Sequence, residues 1–185
     1  MADADVRAAR PADAEEIARI QLVTWRTAYA AILPEDVLAG LDAGATADQW
    51  RATIARGPAT VFVATEGEWT VGFGAAGPAP APESASADGS PPPDAATVAL
   101  IATLLVEPRW GRRGHGGRLL AAAADAMRAA GSTRGICWVP EADTASLAFY
   151  RRAGWAPDGT VRTLDAGGQA LREVRLTGTL DIALV

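Results

Sequence analysis

The sequence predicts one α+β domain built on a mixed β-sheet. Apolar runs with strand character alternate with helical patterns, and two pairs of strand-like runs are joined by glycine-containing turns. The 185 residues suit one domain of ordinary size. With 49% hydrophobic and 21% charged residues, the chain can bury a core. We therefore treat residues 1–185 as a single domain.

The N-terminal third predicts one short strand followed by helices. The strand is expected at 6–9. Asp13, with a glutamate three residues later in capping-box spacing, begins a helix that runs to about Tyr29. Shorter helical patterns begin at Pro34 and at Thr46.

Strand character dominates the middle of the chain. Residues 60–64 and 69–74 flank a Glu-Gly-Glu turn and predict a hairpin. Residues 77–94 are rich in proline, serine, alanine and glycine, which predicts a flexible low-complexity loop. Residues 97–106 form a continuous apolar run that is typical of a strand buried on both faces.

The C-terminal half alternates helices with strands. An alanine-rich helix is expected at 116–130, a strand at 135–139, and a helix from Asp143 that ends at Gly154. Two further runs, at residues 161–164 and 173–176, predict a closing hairpin around a Gly-Gly turn.

Composition excludes several functions. The 17 basic residues are all arginine, so neither a Walker-type phosphate loop nor lysine catalysis is available. A net charge of −5 argues against general nucleic-acid binding. One cysteine and one histidine cannot build a zinc site, and we expect no metal. The acidic N-terminus and the lack of a long apolar run predict a soluble, cytoplasmic protein that does not bind membranes.

The turn after the 97–106 strand predicts an anion site. It is rich in glycine and becomes the N-terminus of a helix, where backbone N–H groups lack internal partners. Four arginines surround it: Arg109, Arg112, Arg113 and Arg118. A dinucleotide fingerprint needs a third glycine where Leu119 stands, so a di- or polyphosphate of another kind, or a plain glycine-rich turn, remains open.

Two motifs resemble the GCN5-related N-acetyltransferase (GNAT) family. Residues 106–120 resemble motif A, in which Arg/Gln-x-x-Gly-x-Gly/Ala holds the pyrophosphate of coenzyme A; the Arg/Gln position falls on Gly111 here. Residues 143–155 resemble motif B, Asn-x-x-Ala-x-x-Phe-Tyr followed by Gly-Phe, at the family's usual interval. Residues 24–34 resemble a bacterial branch whose substrates are mostly unassigned.

The resemblance implies an α+β fold with six to seven mostly antiparallel strands and about four flanking helices. The sheet would be splayed between the strands before and after the coenzyme A loop, with the pantetheine arm lying along the backbone of Leu104, Leu105 and Val106. Acetyl-CoA would be the cosubstrate, without a metal. The other positions that match cofactor contacts are Arg112, Arg113, Gly114, His115, Gly116, Gly117 and Asp143.

The resemblance also implies catalytic and acceptor residues. Tyr150 matches a tyrosine that protonates the departing thiolate; its alternative is a buried aromatic residue beside Phe149. Asp143 stands at the family's asparagine, and we expect its carboxylate chiefly to cap a helix. Trp25 and Tyr29, one helical turn apart, line either the acceptor pocket or the core.

No general base is indicated on the strand before the loop, because residues 98–103 contain no acid where several relatives place a glutamate. Thr103 can hold a water, and Glu107 is expected to face solvent. The base then comes from the substrate side or from bulk water. The substrate-side candidates are Glu35, Asp36 and Glu141.

Two remaining side chains carry simpler expectations. We expect His115 to lie over the phosphate loop without acid–base work, and Cys137 to be a buried apolar residue. The expected function is acetyl transfer to an amine of a small molecule or peptide. A non-catalytic acyl-CoA-binding domain is the alternative. A homodimer is also open, with the apolar tail at 182–185 available to an edge strand.

Overall fold

The computed structural model describes residues 3–182 and places seven strands in one sheet, ordered β1-β2-β3-β4-β5-β7-β6. The strands are β1 (Ala4–Ala8), β2 (Thr60–Glu66), β3 (Trp69–Pro78), β4 (Val98–Val106), β5 (Arg134–Pro140), β6 (Ala156–Ala166) and β7 (Gln169–Thr179). The helices are α1 (Ala14–Ala28), α2 (Glu35–Ala39), α3 (Ala43–Arg56), α4 (Ala81–Ser84), α5 (His115–Ala129) and α6 (Thr144–Arg152). The predicted α+β class is confirmed.

The sheet is antiparallel except between β4 and β5. These two strands are parallel and pair only where Val98–Leu100 lie beside Arg134–Ile136. Beyond that point no ladder joins residues 101–106 to residues 137–140. The predicted splay of the sheet is therefore present, and it leaves one edge of β4 without strand partners along its C-terminal half.

Helices cover both faces of the sheet. Helix α5 supplies Leu119 and Leu120 to a core that also contains Tyr150 and Trp155. On the other face, α1 packs Ile17 and Ile20 against β2, β3 and β4. These two residues are three apart and lie on one face of α1, and their burial removes apolar surface from water.

The segment at 77–94 contains more regular structure than its composition predicts. Strand β3 continues to Pro78, and α4 follows after a short turn. Glu83 accepts a hydrogen bond from Arg162, and Arg175 donates to the carbonyls of Glu83 and Ala85. Arginines on β6 and β7 bind this segment through polar contacts. The sequence prediction considered only the low content of apolar residues, which gives no information about polar contacts. The flexibility of the segment stays a prediction.

Of the tail at 182–185, residues 183–185 lie outside the described residues. Within residues 3–182, no helix combines the length and the apolar character needed to cross a bilayer.

Candidate active site

The turn after β4 is the loop that the sequence predicts to bind an anion. A single 3₁₀ turn at Pro108–Trp110 leads to α5, whose N-cap is Gly114 with φ +83°. Arg112 has φ +61° and is the only non-glycine residue between 3 and 182 in the left-handed region. The first amides of α5 lack intrahelical acceptors and lie at the positive end of the helix dipole. The loop therefore offers N–H groups to an anion.

The glycines of the loop permit close approaches. A Cβ on Gly116 would lie 3.3 Å from the ring of Phe149 and 3.8 Å from a methyl of Leu104. A Cβ on Gly114 would lie 3.2 Å from Nη1 of Arg118. Gly117 belongs to the first turn of α5. The N-terminus of α5 is thus packed closely against both β4 and α6, beside the gap in the sheet.

The arginines of the loop differ in their partners. Arg109 pairs with Glu107, and Arg113 pairs with Glu66 while its guanidinium lies 4.9 Å from the centre of the Trp110 ring. Arg112 and Arg118 have no carboxylate partner within residues 3–182. Their positive charge is therefore available to an anionic ligand.

The expectation that the side chain of His115 lies over the loop is wrong. The residue is only 2% exposed, and its Nε2 lies 2.8 Å from Oε2 of Glu66. A carboxylate only accepts hydrogen bonds, so we place the proton on Nε2. Nδ1 is buried without a partner among the described residues. The imidazole is therefore bound to Glu66 of β2. Only the backbone of His115 can contact a ligand in the loop.

The backbone of Leu104–Val106 lies beside the gap. On one side these residues pair with β3, where Leu104 lies opposite Gly74 and Val106 opposite Gly72. On the β5 side no strand pairs with them. Their N–H and C=O groups on that side are the positions predicted to bind an extended ligand.

Tyr150 lies in α6 and is 6% exposed. Its ring centre is 5.0 Å from that of Phe149 and 5.5 Å from that of Trp155. Burial, with a smaller contribution from Cys137, raises the pKa of Tyr150 well above its usual range. The phenol therefore keeps its proton at neutral pH. Burial likewise raises the pKa of Cys137 to about 12, as expected for an inert thiol.

Asp143 caps α6, as its position in the sequence predicts. Its Oδ1 accepts from the backbone N–H of Ser146 at 3.0 Å, and its Oδ2 accepts from the Ser146 hydroxyl at 2.7 Å. The same Oδ2 accepts from the hydroxyl of Tyr29 at 3.1 Å. These three bonds occupy the carboxylate, which has no N–H to offer pantetheine.

Trp25 and Tyr29 lie at the C-terminal end of α1, with ring centres 6.4 Å apart. Both are partly buried against the core on the α1 face, and both keep some exposure. Burial and the Asp143 carboxylate raise the pKa of Tyr29 far above its usual range. Both residues therefore pack on the core, which was one of the two expected roles, and their lining of an acceptor pocket stays a prediction.

The expectation that Glu107 faces solvent is wrong. It is 5% exposed and binds Arg19 at 3.0 Å and Arg109 at 2.7 Å. Its position just after a strand suggested exposure, but Arg19 of α1 covers it. The remaining base candidates are all exposed: Glu35, Asp36 and Glu141.

Two further glutamates, Glu66 and Glu173, make tertiary contacts that the sequence does not indicate. Glu173 on β7 is 8% exposed and accepts from Arg162 at 2.7 Å, and Glu66 binds the loop. Each stands at a position that reads locally as a solvent-facing strand residue. No local signal marks them, because their partners are distant in sequence. No group of three or more His, Cys, Asp or Glu side chains suited to a metal occurs within residues 3–182.

Comparison with known proteins identifies the class. A sequence profile of the Acetyltransferase (GNAT) family matches residues 22–155. The "Uncharacterized N-acetyltransferase YuaI" of Bacillus subtilis (strain 168) is 32% identical over 173 residues, covering 92% of this chain and 90% of the relative. The chain belongs to the GNAT family, whose members are acetyltransferases.

Solved structures agree with this fold. The putative acetyltransferase yncA from Salmonella typhimurium, solved with its cofactor acetyl-CoA, has a TM-score of 0.69 at 20% identity, over 96% of this chain and 94% of that chain. The paia N-acetyltransferase from Thermoplasma acidophilum, solved with coenzyme A, has a TM-score of 0.71 at 15% identity, over 96% and 99%. At these identities the likeness concerns the fold.

Proposed function

We propose that this chain transfers an acetyl group from acetyl-CoA to an amine of a small molecule or peptide, by direct attack in a ternary complex. One observation carries the proposal. The unpaired edge of β4 leads directly into a loop whose amides, together with Arg112 and Arg118, suit a pyrophosphate. An extended arm and a diphosphate are the two parts of coenzyme A that such a site would bind.

The residues present fit this cosubstrate. A Cβ at Gly116 would lie 3.3 Å from Phe149 and press on its ring, so glycine suits the close approach of the helix N-terminus to the gap. The α5 amides would hold the pyrophosphate, and the free backbone of Leu104–Val106 would hold the pantetheine arm. When bound, acetyl-CoA supplies the activated acetyl thioester.

Tyr150 is the proposed acid. Its burial holds the proton on the phenol oxygen, and a nearby thiolate is the base that would remove it. A backbone N–H of β4 that faces the gap would donate to the oxygen on which negative charge develops. Both groups are fixed before the substrates bind, because one is packed in the core and the other belongs to a strand.

The proton of the acceptor ammonium needs a separate route. Strand β4 carries no acid, and Glu107 is occupied by two arginines. We therefore keep the exposed carboxylates Glu35, Asp36 and Glu141 as candidates, with bulk water as the route for an amine of low pKa. The acidic protein, with its net charge of −5, would favour approach by a cationic acceptor.

Isothermal titration of the chain with acetyl-CoA, with ADP as the control ligand, tests the proposal. We expect micromolar binding that ADP does not reproduce, followed by release of free thiol in a screen of amines. Failure to bind acetyl-CoA would contradict the proposal. Tight binding without turnover on any amine would favour the non-catalytic acyl-CoA-binding alternative.

A further inference from the structure

The end of β2 lies beside the anion-binding loop. Strands β2 and β4 are both antiparallel to β3, so their C-terminal ends lie at the same edge of the sheet. Gly72 of β3 pairs with Ala64 of β2 on one side and with Val106 of β4 on the other. Glu66, the last residue of β2, is thereby brought to the loop that follows Val106.

Glu66 holds the loop on both sides of Gly114. Its Oε1 accepts from Nη1 of Arg113 at 3.0 Å, and its Oε2 accepts from Nε2 of His115 at 2.8 Å. The side chain of Glu66 is 17% exposed and that of His115 is 1% exposed. The hydrogen bond from His115, followed by the charge of Arg113, lowers the pKa of Glu66, so the carboxylate is ionised at neutral pH.

A carboxylate at this place needs an explanation. It lies beside a loop suited to an anion, and it engages an arginine that would otherwise be available to a phosphate. By charge alone, Glu66 should weaken the binding of an anionic ligand. A role in shaping the loop would oppose that effect.

The conformation of the loop supplies such a role. Arg112 and Gly114 both have positive φ, and Arg113 lies between them. A non-glycine residue in the left-handed region costs roughly 1 kcal/mol, so the surrounding structure must hold it there. Glu66 binds the two side chains that flank Gly114, and one of them is the first residue of α5.

We propose that Glu66 and His115 are positioning residues for the cosubstrate: their buried hydrogen bond, with the Arg113 ion pair, holds the loop in the conformation that binds pyrophosphate. This proposal rests on the proposed function. It assigns to β2, which β3 separates from β4, a share of the affinity for acetyl-CoA. It also explains why the single histidine of the chain is buried beneath the loop.

Substitution of Glu66 by glutamine distinguishes a role in positioning the loop from a purely electrostatic effect, because the two change the Kd for acetyl-CoA in opposite directions. The isosteric change removes a negative charge, so the electrostatic effect alone would tighten acetyl-CoA binding. We call the contacts of Glu66 with Arg113 and His115 the clamp. Loss of the clamp would raise the Kd for acetyl-CoA about tenfold, the usual effect of losing a hydrogen bond to a charged group. An unchanged or lower Kd for E66Q would overturn the proposal. The matched control is E68Q, because Glu68 lies on the turn that follows Glu66, is exposed, and makes no hydrogen bond or ion pair with the loop among the described residues.

Two changes at His115 provide an independent check. H115Q keeps an N–H that can donate to Glu66, and we expect a Kd within about threefold of the parent. H115L fills the buried space without a donor and should match E66Q. E66Q and H115L, the two variants expected to bind weakly, should show a raised KM for acetyl-CoA with kcat unchanged at saturation. A general loss of fold would instead lower kcat and the melting temperature together. Equal affinities for H115Q and H115L would contradict the role of this hydrogen bond.

Amide hydrogen exchange in the free protein separates this proposal from the proposed function. E66Q should speed exchange at residues 111–116 at least several-fold, while E68Q should not. If the parent chain fails to bind acetyl-CoA, the proposed function fails, and exchange still tests the clamp. If the parent binds and E66Q binds equally well with unchanged exchange, the clamp alone is refuted.

Discussion

The hydroxyl of Tyr29 donates a hydrogen bond to the carboxylate of Asp143 over 3.1 Å, across 114 positions of sequence. Tyr29 directly follows α1, and Asp143 is the N-cap of α6. One carboxylate therefore serves two helices on opposite faces of the sheet. The end of the helix that borders the proposed acceptor side is tied to the helix that carries Tyr150.

Y29F should lower the free energy of unfolding by about 1 kcal/mol, because it removes one hydrogen bond from a partly buried carboxylate. Urea unfolding followed by tryptophan fluorescence measures this. D143N is the companion change, since asparagine caps helices as well as aspartate does and should cost less than D143A. Unchanged stability in Y29F would mean that the bond contributes nothing.

G114D should abolish acetyl-CoA binding, because it places a carboxylate where the pyrophosphate is expected. Gly114 also has positive φ, so strain alone must be tested separately. G131D is the matched control, because Gly131 has φ +95° and open space around it, beyond the far end of α5. Titration calorimetry should detect binding to G131D and none to G114D. Parent-like affinity in G114D would remove the loop from the site.

Y150F should lower kcat by roughly 10²- to 10⁴-fold while the Kd for acetyl-CoA stays within about twofold, because the ring remains and only the proton donor is lost. Steady-state rates of thiol release and calorimetry measure the two quantities. A parent-like melting temperature of Y150F serves as the control for its fold. Full turnover in Y150F would remove this residue from the mechanism.

R112G should move stability and affinity in opposite directions. Glycine adopts φ +61° without strain, so the free energy of unfolding should rise by about 0.5–1 kcal/mol. Loss of the guanidinium should weaken acetyl-CoA binding several-fold. R112A loses the same charge without relief of strain, so it should bind as weakly and not be stabilised. A stability gain equal in both variants would show that the backbone at this position is not strained.

The Arg7–Asp13 pair should make stability depend on pH. Asp13 accepts two hydrogen bonds from Arg7, each at 2.8 Å, and one from the N–H of Arg10. These bonds hold the pKa of Asp13 below its usual 3.8, with Arg7 as the largest cause. The folded state therefore binds this proton less readily than the unfolded state. The contribution is present above about pH 4 and is lost as pH falls through the folded pKa.

Urea unfolding of the parent and of D13N at pH 6 and pH 3 tests this direction. The parent should exceed D13N in stability at pH 6, and the difference should shrink at pH 3. A difference that stays constant between the two pH values would show that folding does not change the pKa of Asp13.

Local patterns predicted much of this molecule. The glycine turn before α5, Asp143 as a cap and the splay beside β4 follow from residues that are neighbours in sequence or from the motif resemblance. Glu107 and His115 were misplaced, because their surroundings come from α1 and from β2. A pattern of neighbours gives no information about such distant partners.

Some expectations stay predictions. The roles of the proposed site residues, a homodimer and a cytoplasmic location are among them. Glu66 shows why the site was harder to predict than the fold. The residue ends a strand and reads as an ordinary polar turn residue, whereas its significance depends on the order of three strands.

The short seam between β4 and β5 has one more consequence. Three paired residues on each side are all that make the seven strands a continuous sheet. Beyond them β4 and β5 diverge, and the backbone of β4 that faces the gap is unpaired. A ligand with amide groups spaced along its length would act there as an eighth strand, adding to the architecture of the protein while it delivers its chemistry.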